Sequence, residues 1–265
     1  MTFNFANLMR WTAVALTAGT WGQAVFAAPV MPDFATAPTG WVTDRYAPAS
    51  FGNVGTYQGR SNVLGIGIDS SGDLNNRAGT GQNSTFYNTQ GKQTAIAGGA
   101  GSVLSADLFI NASWLNSLNG YVRTDMWAVG SDSGGVTDYG IIGFTNYGNS
   151  ARLRVWDADA GGWVDLVNTI APDAWTSFDI EMTATSLLYR VNGAQVYEDT
   201  TIDADHFSAT IMQAYNFADP ALGSPTPTTV PYVAHWSNAQ VPEPASLALV
   251  AITLAGLGVI RRKAH

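Results

Sequence analysis

Asp69, Ser71, Asp73 and Asn75 place oxygen-bearing side chains at alternate positions of the run Asp69-Ser70-Ser71-Gly72-Asp73-Leu74-Asn75. A loop bent around such a run can wrap a hard cation, so calcium is the ligand this spacing favours. The glycine and the distal bidentate glutamate of an EF-hand loop are missing, so the run is not that motif. Asp157 with Asp159, and Asp132 with Asp138, are further oxygen-ligand candidates. Each of these pairs also reads as Asp-Gly turn chemistry.

Hydrolytic chemistry has less to work with. Asp179 and Glu181 alternate within Ser177-Phe178-Asp179-Ile180-Glu181 and so share one strand face. Same-face neighbours on a strand sit about 7 Å apart, whereas a retaining glycosidase holds its two carboxyl groups about 5 Å apart. The pair reads as a solvated strand face. His206 and His235 are the histidines outside the chain ends, too few for a three-histidine metal site, and no H-E-x-x-H, G-x-S-x-G or cysteine is present. Aromatic rings are plentiful, by contrast. A pyranose stacks its C–H face on an exposed ring while polar side chains bind its hydroxyls. Trp163 and Trp114, and Tyr87 in a polar stretch, are the rings expected to be available for that contact.

The elements that must position these residues are strands. The chain has 17 Asp but 3 Glu, with 28 Gly, a balance that favours turns over helices. Alternating runs at 62–68, 102–110, 121–129, 139–146, 152–156, 163–167, 176–184, 187–192, 195–199, 209–217 and 232–237 predict strands, and no segment sustains helical periodicity. Two hairpins are explicit. Leu153 and Val155 alternate with Arg152 and Arg154 before a turn at Asp157–Gly162, and Asn192-Gly193 supplies the positive φ angles of a tight turn. The pattern predicts an all-β, antiparallel two-sheet sandwich or barrel over residues 41–240, preceded by an extended proline-rich lead-in at 28–40.

Both chain ends read as addresses. Arg10, the apolar stretch Trp11–Phe26 and the small residues around Ala27 predict a signal peptide over 1–27, removed by signal peptidase. At the other end, Pro242-Glu243-Pro244 precedes an uncharged run at 245–260 and then Arg261, Arg262 and Lys263. That run predicts a short membrane helix whose basic end stays inside and whose body lies outside. Between these ends, residues 28–242 carry 8 basic and 19 acidic side chains, a net charge of −11. Such a surface disfavours nucleic acid and, unless cations bridge them, anionic polymers. Cysteine is absent, so no disulfide supports the fold.

The C-terminal segment at 241–265 resembles the PEP-CTERM sorting signal of Gram-negative bacteria. That resemblance implies recognition by an exosortase, transient insertion in the inner membrane and removal of the tail. The stretch Arg152–Asp199, with a Trp opening one strand and the next ending in Val191-Asn192-Gly193, resembles the concanavalin A-like (laminin G-like) jelly roll. Glycoside hydrolases of that architecture carry three alternating acids, and Ser177-Phe178-Asp179-Ile180-Glu181 has two with a serine leading. Together the resemblances imply an exported, non-enzymatic surface or matrix protein that binds or organises exopolysaccharide, as in biofilm. A glycoside hydrolase or polysaccharide lyase on the same fold, and a purely structural surface protein, are the alternatives.

Overall fold

The computed structural model describes residues 28–69, 89–148, 150–217 and 230–238. In chain order its strands are β1 (Ala28–Pro29), β2 (Val42–Thr43), β3 (Ser50–Asn53), β4 (Leu64–Ile68), β5 (Thr89–Gly99), β6 (Ser102–Ile110), β7 (Arg123–Asp132), β8 (Gly135–Thr145), β9 (Arg152–Asp157), β10 (Gly162–Asp165), β11 (Ala174–Met182), β12 (Leu187–Val191), β13 (Ala194–Asp199), β14 (His206–Tyr215) and β15 (Tyr232–Ser237). They make two sheets. The back sheet has eight strands, ordered β13-β12-β11-β6-β15-β4-β3 with β1 added on β6, and the front sheet has seven, ordered β10-β9-β8-β7-β14-β5-β2. Pairing between the named strands is antiparallel except at β1. The protein is thus an antiparallel two-sheet β-sandwich, one of the two architectures its patterning predicts and the one that the jelly-roll resemblance implies.

Alternation builds the core. On β6, Leu104, Ala106 and Leu108 point inward, and on β11 Phe178, Ile180 and Met182 do the same, leaving Asp179 and Glu181 outward. The front sheet answers with Met126, Ala128, Ile142, Phe144, Leu153, Val155 and Met212. Trp236 joins the two layers. Its ring is fully buried 5.8 Å from Phe178, and its Nε1 donates to Thr124 Oγ1 at 2.9 Å on the opposite sheet.

Turn chemistry follows the sequence. Asn192 and Gly193 take φ values of 51° and 78° between β12 and β13. Asp157 Oδ1 accepts from Ala160 N at 2.8 Å to close the β9–β10 turn. The proline-rich start differs from its expected form. It pairs as a strand only at Ala28–Pro29, then Asp33 caps a 3-10 turn that seats Phe34 in the core. Strand β5 is a second difference. Its polar, glycine-rich text, Thr89-Gln-Gly-Lys-Gln-Thr-Ala-Ile-Ala-Gly-Gly99, carries little strand propensity, and pairing with β14 and β2 on either side holds it extended.

One core group sets a pH response. The Tyr189 hydroxyl is fully buried without a hydrogen-bond partner, and burial raises its pKa well above the ordinary 10, with Asp199 and Asp157 adding to the shift. Burial raises Tyr232 in the same direction. Unfolded phenols ionise near 10 while the native ones stay protonated, so unfolding releases protons above that pH. Stability is therefore complete below pH 10 and falls as pH rises toward the native pKa values, by up to about 1.4 kcal/mol per pH unit for each such tyrosine. Thermal unfolding at pH 9, 10 and 11 measures this. Tyr189→Phe is expected to flatten the alkaline fall and to raise stability at pH 7 by about 1 kcal/mol, because it removes a buried hydroxyl that bonds to nothing.

Candidate functional site

A strand in a sandwich of this kind buries one face and wets the other. Strand β7 departs from that rule, being buried from Arg123 through Ser131. Thr124, Met126 and Ala128 face the core, so Arg123, Asp125, Trp127 and Val129 are covered on the outer face of the front sheet.

Strand register arranges that face in rungs. One rung runs Trp163, Trp156, Ile141, Trp127, Ile211 across β10, β9, β8, β7 and β14. Trp127, Val129, Ile141 and Ile211 form a second apolar cluster, separate from the main core, with Tyr139, Trp156 and Trp163 packed against it. The Arg45 guanidinium lies 4.9 Å from the Trp127 ring. The neighbouring rung is polar, running Asp165, Arg154, Gly143, Asp125, Gln213, Gly91 across β10, β9, β8, β7, β14 and β5. Its glycines matter sterically. A Cβ on Gly143 would collide with the Thr124 carbonyl and the Asp125 carboxylate, and one on Gly91 with the Met212 carbonyl. Only glycine leaves the Asp125 and Gln213 side chains their places.

Within the polar rung, Arg123 Nε donates to Asp125 Oδ2 at 2.6 Å and Gln213 Nε2 donates to the same oxygen at 3.3 Å. Four buried atoms beside this contact bond to nothing: Asp125 Oδ1, Arg123 Nη2, Arg154 Nε and Gln213 Oε1. Arg154 forms no ion pair among the described residues. Its guanidinium instead stacks 3.7 Å from the Trp163 ring centroid, and that of Arg123 lies 4.7 Å from the same ring and 5.3 Å from Tyr215. Burial, and next the charge of Arg123, lower the Arg154 pKa from 12.5 to about 9. At neutral pH Arg154 therefore remains a cation.

The residues singled out from sequence fall in several places. Trp163 lies on β10, half-buried at the end of the apolar rung, with Arg154 already against its ring. Trp114 is a correction. It is 7% exposed, turned inward from a 3-10 turn onto Phe144 and Tyr232, so it has no free face for a sugar. Tyr87, Ser71, Asp73, Asn75, Pro242, Glu243, Pro244, Arg261 and Arg262 lie outside the described residues, as do the 1–27 and 245–260 segments, while Asp69 follows β4 and is half-buried. No described helix is long and apolar enough to cross a membrane. Asp132 accepts from Gly134 N and Gly135 N, and Asp138 from Asp203 N and Ala204 N, so both act as turn and loop anchors. Asp157 and Asp159 meet Asp199 with carboxylate oxygens within 4.8 Å of one another, although both oxygens of Asp157 already accept bonds from Ala160 N and Tyr197 Oη.

Asp179 and Glu181 share the outer face of the back sheet, the first bonded by Ser105 and the second paired with Arg190 at 2.6 Å. Burial raises the Asp179 pKa. Beside them Tyr57, Phe109, Trp175 and His235 pack on one another, His235 stacking on Tyr57 at 3.7 Å, and Trp175 Nε1 donates to the Gln58 carbonyl. Within this cluster His235 Nδ1 is buried without a hydrogen-bond partner, and burial lowers the His235 pKa. The groups that sequence reasoning missed are Arg123, Asp125, Arg154 and Gln213. The available signal was two charges at alternate positions, Arg123 and Asp125, followed at the next alternate position by Trp127.

Residues 240–263 match the PEP-CTERM protein-sorting motif. The motif marks the chain for export and sorting to the surface. No curated protein sequence matches the chain. Among solved structures the chain is similar to Crh5 transglycosylase in complex with NAG, at 15% identity and a TM-score of 0.45 over 81% of this chain and 86% of that one. It is also similar to a Bacillus licheniformis beta-glucanase, at 15% identity and a TM-score of 0.43 over 77% and 94%. A third similar structure is a prokaryotic beta-1,3-1,4-glucanase (lichenase) derived from a mouse hindgut metagenome, at 12% identity and a TM-score of 0.43 over 77% and 95%.

Proposed function

We propose that the protein is an exported, non-enzymatic surface or matrix protein that binds polysaccharide on the outer face of its front sheet. The observation that carries this reading is the adjacency of an aromatic rung ending in Trp163 and a polar rung with two unbonded acceptors and two unbonded donors. A sugar ring has the same two characters, an apolar face and a rim of hydroxyls. Export through a signal peptide and signal peptidase, then anchoring in the inner membrane of a Gram-negative bacterium and release by an exosortase, fits the sorting motif at the C-terminus.

A non-catalytic role is supported by the polar rung itself. Its two carboxylates, Asp125 tied to Arg123 and Asp165 tied to Arg152, stand three strands apart on β7 and β10, about 14 Å at the usual strand spacing, and the same-face positions on either side of Asp125 along β7 are Arg123 and Trp127. Retaining hydrolysis needs a second carboxyl group about 5 Å away.

Affinity electrophoresis of the full chain in mild detergent, through host exopolysaccharide with calcium and with EDTA, tests the reading. Retardation with the polymer left intact is expected. Release of oligosaccharides would establish an enzyme instead, and unretarded migration would leave a purely structural surface protein. Retardation abolished by EDTA would place calcium in the binding and direct attention to Asp69 and to the Asp157, Asp159 and Asp199 group.

A further inference from the structure

We propose that Asp157, Asp159 and Asp199 bind one calcium ion, which staples the β9–β10 edge of the front sheet to β13, the edge strand of the back sheet. Each residue offers a carboxylate oxygen, and the three oxygens lie within 4.8 Å of one another. Calcium holds its oxygen ligands at about 2.3–2.6 Å, so ligands facing each other across it stand up to about 5 Å apart. Magnesium, at about 2.0–2.1 Å, needs a spread nearer to about 4 Å. The site stands independently of the polysaccharide reading, because it needs no sugar.

Strand alternation sets the acids where the core ends. Asp157 continues the inward series of Leu153 and Val155 and is 6% exposed; Asp199 closes β13 and is 8% exposed. Asp159 is exposed in the turn between β9 and β10. Neutral donors alone hold the two inner carboxylates, Ala160 N and Tyr197 Oη on Asp157, and Thr201 N and Oγ1 on Asp199 Oδ1. Asp199 Oδ2 and the Asp159 carboxylate accept no bond among the described residues, and none of the three acids is in an ion pair there. Two buried negative charges with a third beside them are costly without a counter-charge. A divalent cation supplies it.

A second observation points to the same place. The Tyr189 hydroxyl is fully buried and bonds to nothing. Tyr189 stands opposite Tyr197 across β12 and β13, ring centroids 6.0 Å apart, and Tyr197 already reaches Asp157. The Tyr189 hydroxyl itself crosses to the front sheet, where a Cβ on Gly140 would lie 3.3 Å from it. Gly140 precedes Ile141, the partner of Trp156, and so stands beside Asp157. Of the charges acting on this hydroxyl, those of Asp199 and Asp157 are the largest. A cation that gathers the carboxylates brings acceptor oxygens to this orphan donor. The same hairpin carries Trp163 on its outer face, so the staple also steadies the mount of that ring.

The test adds calcium chloride alone to the full chain in mild detergent, stripped beforehand with EDTA, and reads binding by isothermal titration and the fold by thermal unfolding. At about 10 mM calcium, about 100-fold above a dissociation constant near 0.1 mM, the unfolding midpoint is expected to rise by about 5–10 °C. Magnesium at the same concentration is expected to give less than about half that rise. D159N removes an exposed carboxylate that bonds to nothing, so it is expected to keep the calcium-free midpoint and to weaken calcium about 10-fold or more. D199N is the second variant and is expected to abolish the rise, whereas D73N, in the alternative run from Asp69 to Asn75, is expected to leave it in place. A rise that persists in D159N and D199N, or that D73N removes instead, would overturn the site. No response of the native chain to calcium, or an equal response to magnesium, would overturn it as well. No sugar is present, so none of these results bears on the polysaccharide reading.

Discussion

Asp125→Asn is expected to lower the unfolding free energy by about 3–5 kcal/mol, the usual consequence of stripping one partner from a buried ion pair. The shape of the side chain is unchanged, so packing is not the cause. Asp125 is fully buried, its Oδ2 bonds Arg123 at 2.6 Å, and Arg154 is a second cation acting on the same groups. Without the carboxylate, two buried guanidinium groups face one another. Asp165→Asn is the control. That carboxylate also pairs with an arginine, Arg152 at 2.8 Å, but is 52% exposed, and an exposed pair contributes less than about 1 kcal/mol. Urea unfolding of the two variants measures the contrast, and equal losses would contradict a buried ion pair on β7.

Trp236→Ala is expected to cost about 3–5 kcal/mol, the range for deleting a large core aromatic. Its ring is fully buried against Phe178, and its Nε1 bond to Thr124 Oγ1 crosses from one sheet to the other. Thr124 in turn donates to the Gln213 carbonyl at 2.7 Å, on the strand that carries a polar-rung residue. The substitution thus removes packing between the layers and loosens the mounting of the outer face together. Val233→Ala on the same strand, 39% exposed, is expected to change stability by less than about 0.5 kcal/mol. Urea unfolding of the two variants separates these cases.

How far the sequence reached can be judged element by element. Ser102–Ile110 and Tyr232–Ser237 carry alternating apolar residues on one face, and both are strands over those residues. Asn192-Gly193 encodes its turn locally, through the φ angles its residues tolerate. Strand β5 lacks such local information because its conformation is dictated by partners distant in sequence. The outer face of the front sheet was hidden for the same reason. Read locally, Arg123 and Asp125 are solvated charges on an alternating strand. Their burial depends on register, which brings Gly143 from β8 beside Asp125 and Gly91 from β5 beside Gln213. Trp163 was legible as a ring beside a turn, whereas Trp114 was misread because its 3-10 turn, with no alternation to betray a face, directs the ring inward.

The central claim is that sugar is bound on the front sheet and not on the aromatic patch of the back sheet. The most direct measurement follows the indole N–H resonances of the full chain by two-dimensional NMR as host exopolysaccharide fragments are added. The account predicts that the Trp163 signal shifts in a saturable way while that of Trp175, on the back sheet, stays in place. Movement of Trp175 with Trp163 unchanged, or no movement of either, would contradict it.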